Sequence, residues 1–242
     1  MKYVVDTHTH TIASGHAYCT FREMLAAAKE KQLELLCITD HGPAMPGTSG
    51  EMYFHNTRVF KDEYNGIKLL VGAELNVIDY KGTVDLPERV LKGLDLCIAS
   101  LHLPCIKSGS VKENTDAFVN AMENPYVNII GHPDDCRYPL DYPRLIEAAK
   151  AYSVIIELNN NSLNPNGFRE GTYENNLEIL RLCKEYEVPI ALGSDAHIDD
   201  DVANFIYTDK ILKETNFPEE LILNTSVSKF LSYLDIRRSR RP

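Results

Sequence analysis

The chain lacks any apolar run approaching the length of a membrane span. Its first residues, MKYVVDTHTH, carry one lysine and then only a brief apolar stretch before Asp6. That is too short for the apolar core of a secretory signal, so a cytoplasmic protein with no membrane partner is expected. No C-x-x-C occurs and the six cysteines are irregularly spaced, which argues against a zinc ribbon and a disulfide framework alike. Cys37, Cys97 and Cys183 lie within apolar runs, while Cys19, Cys105 and Cys136 stand near loops. All six read as reduced small hydrophobes; Cys105 and Cys136 stand out only because each follows a candidate site histidine. Basic residues are also in deficit. The 25 Lys and Arg face 35 Asp and Glu, a net charge of −10, which weighs against a nucleic-acid partner. Four arginines crowd into the C-terminal RRSRRP, which reads as a disordered end rather than a binding arm. No linker, low-complexity stretch or repeat interrupts the chain, so residues 1–242 are expected to form one domain.

What is present is an alternation of short apolar runs and amphipathic stretches. Runs around YVVD, LELLCIT, IKLLVGAEL, DLCIASL, YVNII, SVIIELN and VPIAL read as seven buried parallel strands. Between them, TFREMLAAAKEKQ has Thr20 and Glu23 placed as a capping box. EMYFHNTRVFKDEYNG reads as a helix closed by Asn65-Gly66, and Asp141 caps DYPRLIEAAKAY. A turn or short hairpin is expected around Lys81-Gly82, a short helix after Pro87, and helix again through PEELILNTSVSKFLSYL. Strict alternation of this kind implies an α/β fold with a parallel sheet and helical crossovers.

Seven of the eight histidines lie at or just past the ends of these runs. His8, His10, His41, His102, His132 and His197 sit at the edge itself, together with Glu74 and Asp195, and His16 follows in the loop SGHAY. An open doubly wound sheet gathers ligands at one switch point. Here six of the seven strand ends carry a candidate, and only a closed barrel brings so many C-terminal strand ends around one centre. The expected fold is therefore a (β/α)7 barrel, one strand short of the usual eight.

Imidazole and carboxylate are the ligands that borderline divalent metals take. His8 and His10 are two apart, so on a strand both leave by the same face, and Asp195 and His197 repeat that spacing. An H-x-H pair alone could be two unrelated surface histidines; with five more histidines at strand ends, chance explains it poorly. A catalytic zinc ion takes about three protein ligands and keeps an open position. Nine side chains overfill one ion and fit two or three, with Glu74 the natural bridging carboxylate. Such clusters activate water and clamp substrate oxygens, so the residues by themselves point to a multinuclear hydrolytic site.

The strings DTHTHT, ITDHG, GAEL, SLH, GHP and GSDAH resemble the motifs of the PHP (polymerase and histidinol phosphatase) superfamily, across nearly the whole chain. SGHAY and the overall length are most similar to its YcdX-like phosphatase branch. The resemblance implies a distorted seven-stranded barrel and three metal positions. His8, His10, Glu74 and Asp195 would hold one ion, Glu74, His102 and His132 a second, and His16, His41 and His197 a third. It implies zinc, with Mn2+ or Fe2+ as alternatives, and hydrolysis of a small-molecule phosphate monoester by a metal-activated water. Asp195 would orient or deprotonate that water, and Glu74 would bridge two ions. A metal-dependent nuclease acting on short oligonucleotides is one competing reading. Another is an amidohydrolase-like C–N hydrolase, although such barrels need fewer ligands and no lysine closes a strand here. A non-catalytic metal-binding barrel is the third.

Other residues carry weaker expectations. His55 falls inside the helix expected over 51–66 and reads as a packing or surface residue. Asn159, Asn160, Asn161 and Ser162 follow the one strand end without a ligand and offer either substrate hydrogen bonds or a polar turn. Arg137 and Arg169 lie in loops where they could receive phosphate, and Gly131 and Gly193 precede site motifs where a close backbone approach would need them.

Overall fold

The computed structural model describes residues 1–241. Its strands are β1 (Val5–Asp6), β2 (Leu35–Ile38), β3 (Glu63–Tyr64), β4 (Ile67–Val71), β5 (Ala73–Asn76), β6 (Cys97–Ser100), β7 (Ile129–Ile130), β8 (Ile155–Asn159) and β9 (Ile190–Gly193). The helices that matter for the site are α1 (Phe21–Glu30), α2 (Glu51–His55), α3 (Glu88–Leu91), α4 (Val111–Glu123), α5 (Tyr142–Tyr152), α6 (Thr172–Tyr186), α7 (Ile206–Glu214) and α8 (Val227–Arg238). Thr20 and Glu23 form the expected capping box of α1, and Asp141 caps α5 through the Arg144 amide. No helix among the described residues is long and apolar enough to cross a membrane.

The strands form two sheets, ordered β1-β2-β4-β3 and β5-β6-β7-β8-β9 and parallel except for β3, rather than one closed ladder. The expected third strand, IKLLVGAEL, is split at Gly72 into β4, which pairs with β2, and β5, which pairs with β6. A Cβ at Gly72 would lie 2.0 Å from the Leu96 carbonyl oxygen, so only glycine lets the chain bend there and pass from one sheet to the other. The two sheets meet at both margins through single bridges, His41 to Glu74 and Thr9 to Ala196. Eight strands with parallel partners are thus present, arranged as two linked sheets.

One residue in two along the strands points inward. Cys37, Leu70, Ile98, Ile129, Ile155 and Ala191 meet Phe230 and Leu234 of α8 in one buried cluster. That cluster is the floor of the site. The next inward positions, Glu157 on β8 and Ser100 on β6, are polar and fully buried. Histidines follow at the strand ends above them. The outward residues, such as Ile130, Ile156 and Leu192, pack beneath α4, α5 and α6 in the largest apolar cluster.

Two expectations need correction. EMYFHNTRVFKDEYNG is not one helix: α2 stops at His55, a 3-10 turn covers Thr57–Val59, and β3 then pairs antiparallel with β4. Asn65-Gly66, with Asn65 at φ 55°, is the two-residue turn of that hairpin, and its hairpin preference overrides a helix stop. The arginines of RRSRRP are docked, not free, through Arg241; Pro242 lies outside the described residues. Arg237 is buried, with its guanidinium donating to the carbonyls of Val127 (2.8 Å) and Tyr152 (3.0 Å). Arg238 reaches the Asp95 carbonyl at 2.9 Å, and Arg241 lies over the Tyr126 ring. Carbonyls at helix ends and turns carry partial negative charge, and they collect these cations.

Candidate metal centre

His8 and His10 leave the end of β1, His41 follows β2, Glu74 lies on β5, His102 follows β6, and His132 follows β7. Asp195 and His197 follow β9, and His16 approaches from the loop after a 3-10 turn at Ile12–Ser14. All nine come to one centre at the C-terminal ends of the strands. Asp195 and His132 adopt left-handed backbone, at φ 57° and 29°, conformations that strain a residue with a side chain and cluster at functional sites.

Glu74 organises the group. Its Oε1 lies 2.9 Å from His132 Nε2 and 3.2 Å from His102 Nε2. Its Oε2 lies 2.6 Å from His41 Nδ1, 3.3 Å from His8 Nε2 and 3.6 Å from His10 Nε2. One carboxylate therefore faces two histidine sets with its two oxygens. Asp195 Oδ1 completes the second set, 3.2 Å from His10 Nε2 and 3.7 Å from His8 Nε2. Donor atoms close enough to share an ion fall into three groups: His8, His10 and Glu74; His41, Glu74 and His102; and His10, His41 and His197. The third group contains His10 where the family resemblance implies His16. His16 is more exposed, with its ring 4.9 Å from those of both His41 and His197.

The Nδ1 atoms of four histidines are tied down, that of His197 by the Asp195 carbonyl at 2.9 Å. His8 Nδ1 donates to Glu157 Oε1 at 2.7 Å. His10 Nδ1 donates to Ser14 Oγ at 3.0 Å, and Ser14 in turn donates to Asp40 at 2.7 Å. His102 Nδ1 donates to Asn76 Oδ1 at 2.7 Å, while the Asn76 amide nitrogen donates to Asp85 at 2.6 Å. Each arrangement places the proton on Nδ1, leaving the Nε2 lone pair aimed at the centre. His8, His10 and His102 Nε2, His41 Nδ1 and Glu74 Oε2 are buried and, although they lie close to one another, make no well-aligned hydrogen bond among the described residues. An orphaned buried polar atom costs about 1–3 kcal/mol, and five at one point are tolerable where cations satisfy them. Nitrogen and carboxylate donors, lone pairs turned inward and an outer set of acceptors together fit divalent metal ions.

In the metal-free protein the charges of the group compensate one another, and His8 carries a second proton that an ion would displace. Burial alone would strip the proton from His8, but Glu157, Glu74 and Asp195 outweigh it and hold His8 well above the usual imidazole range. Burial also opposes the Glu74 charge, yet His102, His41 and His8 keep its carboxyl well below the ordinary value. Asp195 behaves likewise, held down against burial by His8 and Arg169. His10, buried among His197 and His41, is pushed well below its ordinary value and stays neutral.

The surrounding residues divide by what they touch. Arg169 donates to Asp195 Oδ2 at 3.1 Å and to Ser162 Oγ at 3.0 Å. Asn159 also reaches Asp195 Oδ2, at 3.3 Å, and so braces Asp195. Asn160 Oδ1 accepts from the Tyr207 and Thr208 amides at the start of α7, and Asn161 lines the cavity over the centre. Arg137 forks onto Asp135, with Nε 2.9 Å from both carboxylate oxygens. A Cβ at Gly193 would sit 2.1 Å from Glu157 Oε1 and 2.7 Å from His8 Cβ, so the approach of these two groups requires glycine; Gly131 is crowded similarly by Ser100. His55 is exposed at the end of α2, away from the centre. All six cysteines are free, and burial pushes the Cys105 thiol up to about 12, against a nucleophilic role.

Sequence reasoning missed Glu157, Asp40, Ser14, Asn76 and Asp85. Glu157 left a signal: a carboxylate inside the apolar run SVIIELN, where an unpaired charge is costly to bury. Asp40 left the same signal in ITDHG. The roles of Ser14, Asn76 and Asp85 depend on hydrogen-bond geometry alone.

A cavity of about 670 Å3 opens above the centre, reached by His16, His41, His102, Asp195 and His197 at its base. Against known proteins, the PHP domain family model matches residues 6–166. A protein of Caldicellulosiruptor bescii named "Probable phosphatase" is 48% identical over 232 residues, covering 96% of this chain and 95% of that protein. A crystal structure of a histidinol phosphate phosphatase from Lactococcus lactis, complexed with zinc, L-histidinol and phosphate, superposes with a TM-score of 0.61. It is 18% identical and covers 89% of this chain and 95% of its own. A chain of an archaeal ribonuclease P solved with mature tRNA superposes with a TM-score of 0.58, at 18% identity and over 97% and 91% of the two chains. The chain belongs to the PHP family. Its fold alone leaves the substrate open, since fold does not imply function.

Proposed function

We propose that this chain, a phosphatase of the PHP family, hydrolyses a small-molecule phosphate monoester using two or three divalent ions. The observation that carries this reading is Glu74, whose two carboxylate oxygens face separate histidine sets. On this reading His8, His10, Glu74 and Asp195 hold one ion, Glu74, His102 and His132 a second, and His41 and His197 a third with His16 or His10. When bound, such ions supply Lewis-acid charge and a water that ionises near neutral pH. The donor set favours Zn2+, with Mn2+ or Fe2+ as alternatives.

The chain's own residues hold and orient. Asp195, pinned by Arg169 and Asn159, keeps one oxygen toward the histidines. Its depressed pKa suits a group that accepts hydrogen bonds and aligns a water better than one that takes its proton. Arg169, in the cavity wall, is a permanent cation beside the place where phosphoryl oxygens would collect. We read the two linked sheets as a distorted seven-stranded barrel, because inward residues of both converge on the floor beneath α8. The net charge of −10 supports a small ester over an oligonucleotide.

Metal analysis of the purified protein, with a panel of phosphate monoesters, phosphodiesters and amides, tests the reading. Chelation should abolish monoester hydrolysis, and Zn2+ or Mn2+ should restore it. Mg2+ should restore it poorly, because it prefers an all-oxygen shell. Hydrolysis of diesters or amides in preference to monoesters would overturn the assignment.

A further inference from the structure

The walls of the cavity above the centre are unlike its base. The loops after β2 and β6 contribute Met45, Pro46, Leu103 and Pro104, and the loop after β8 contributes Phe168. Leu103 and Phe168 are 48% and 65% exposed. Phe168 is nonetheless held in place: the guanidinium carbons of Arg137 and Arg169 lie 5.2 and 5.1 Å from its ring centroid. Cations this close to an aromatic ring are attracted to it. The result is a presented aromatic surface beside an apolar wall, directly over the phosphate end of the site.

The carboxylates and guanidiniums of the walls are committed to one another, which leaves Asn161 as the lining amide. Asp135 is occupied by the Arg137 fork. Asp195 faces Arg169 and the histidines. No lining carboxylate is therefore free to pair with an ammonium group. Hydroxyl-rich substrates fare little better, since a polyol needs several uncommitted donors and acceptors to replace its water. Pockets of this volume bury most of a small ligand, and apolar lining supplies the binding while a few polar groups set orientation.

We infer that the leaving alcohol of the substrate is uncharged and carries an aryl or aralkyl group, which stacks on Phe168 and packs against Leu103 and Pro104. Phe168 and Leu103 are then specificity-determining residues, and Arg137 holds Phe168 rather than taking phosphate. The inference rests on the phosphatase reading for its reaction, though not for its binding geometry.

The test compares 2-phenylethyl phosphate, glycerol 3-phosphate and 2-aminoethyl phosphate on the zinc- or manganese-loaded protein. All three release an alkoxide, so the comparison reports binding more than leaving-group chemistry. The kcat/KM for 2-phenylethyl phosphate should exceed both others by at least about tenfold. In Phe168→Ala that preference should shrink about tenfold, mainly through KM. An equal or inverted order in the wild type, or an undiminished preference in Phe168→Ala, would overturn the inference. If none of the three is hydrolysed, that counts against the small-monoester reading alone, and calorimetry with the matching phosphonates decides the subsite. Tighter binding of 2-phenylethylphosphonate than 2-aminoethylphosphonate, with the difference lost in Phe168→Ala, upholds the apolar subsite. Absence of that difference, or no binding of either, removes it.

Discussion

Replacing Glu157 by glutamine should weaken metal binding without touching a donor atom. Glu157 is buried and uses its two oxygens differently: Oε1 accepts from His8 Nδ1 at 2.7 Å, and Oε2 accepts from the His132 amide at 2.7 Å and from Asn159 at 3.2 Å. A glutamine has one oxygen. If it serves His8, its amide NH2 is turned onto two donors; if it serves His132 and Asn159, the NH2 is turned onto His8 Nδ1–H. One side of the arrangement is lost in either orientation, along with the negative charge behind the imidazole. Loss of such an outer partner costs about 10–100-fold in metal affinity, which is about 1.4–2.7 kcal/mol. Competition between the metal-free protein and a chromophoric zinc chelator measures each affinity in turn. The weakening should fall first on the ion held through His8, with Asn76→Ala weakening the one held through His102. Thermal unfolding in excess chelator separates binding from folding. If Glu157→Gln lowers the melting temperature of the metal-free protein while every metal affinity stays within about twofold of wild type, Glu157 only braces the fold and the reasoning is refuted.

Further outcomes follow from the same geometry. Glu74→Gln should lose more than one ion, because a neutral amide bridges poorly and leaves the cations uncompensated; loss of a single ion would make Glu74 a terminal ligand. His16→Ala should be milder, removing at most the ion near His41 and His197, as metal stoichiometry will report. His8 in the metal-free protein is held above its unfolded pKa of about 6.5. Its stabilising contribution is complete below about pH 6.5 and disappears as pH rises through the raised folded value. Metal uptake at neutral pH should accordingly release a proton, visible by calorimetry in buffers of different ionisation enthalpy; His8→Asn should lose that proton release. Gly193→Ala should destabilise by about 1–3 kcal/mol through the clash with Glu157 and the His8 Cβ, measured by denaturant unfolding.

Much of the candidate centre was legible without a structure because imidazole and carboxylate are chemically distinctive and sit where continuous apolar runs break. His8, His10, His41, His102, His132 and His197 each end an apolar run, and a parallel strand must end at the same edge as its neighbours. The capping box of α1 and the Asp141 cap of α5 were readable for a similar reason, since both are local and depend on three or four residues. Residues 51–66 were misread because their spacing suits a helix while Asn65-Gly66 suits a hairpin, and the choice depended on β4 being available as a partner. The arginine tail was misread because its acceptors, the carbonyls near residues 95, 127 and 152, are remote in the sequence.

By itself the amino-acid sequence determined the alternation of strands and helices outside residues 51–66, the candidate donors and the edge on which they gather, all of them consequences of short-range pattern and residue chemistry. Tertiary structure alone decided how those donors divide. The two oxygens of Glu74 face different histidines because the chain leaves one sheet as β4 and joins the other as β5 at Gly72. Glu157, Ser14 and Asn76 orient their imidazoles across sequence separations of 149, 4 and 26 residues. Phe168 becomes a fixed surface above the centre because two arginines from different loops converge on it. Most of these pairings depend on angles and distances of a few ångströms between segments remote in the chain, which no local pattern encodes; the Ser14–His10 bond and the Arg169–Phe168 contact are local in sequence but still depend on how their loops fold.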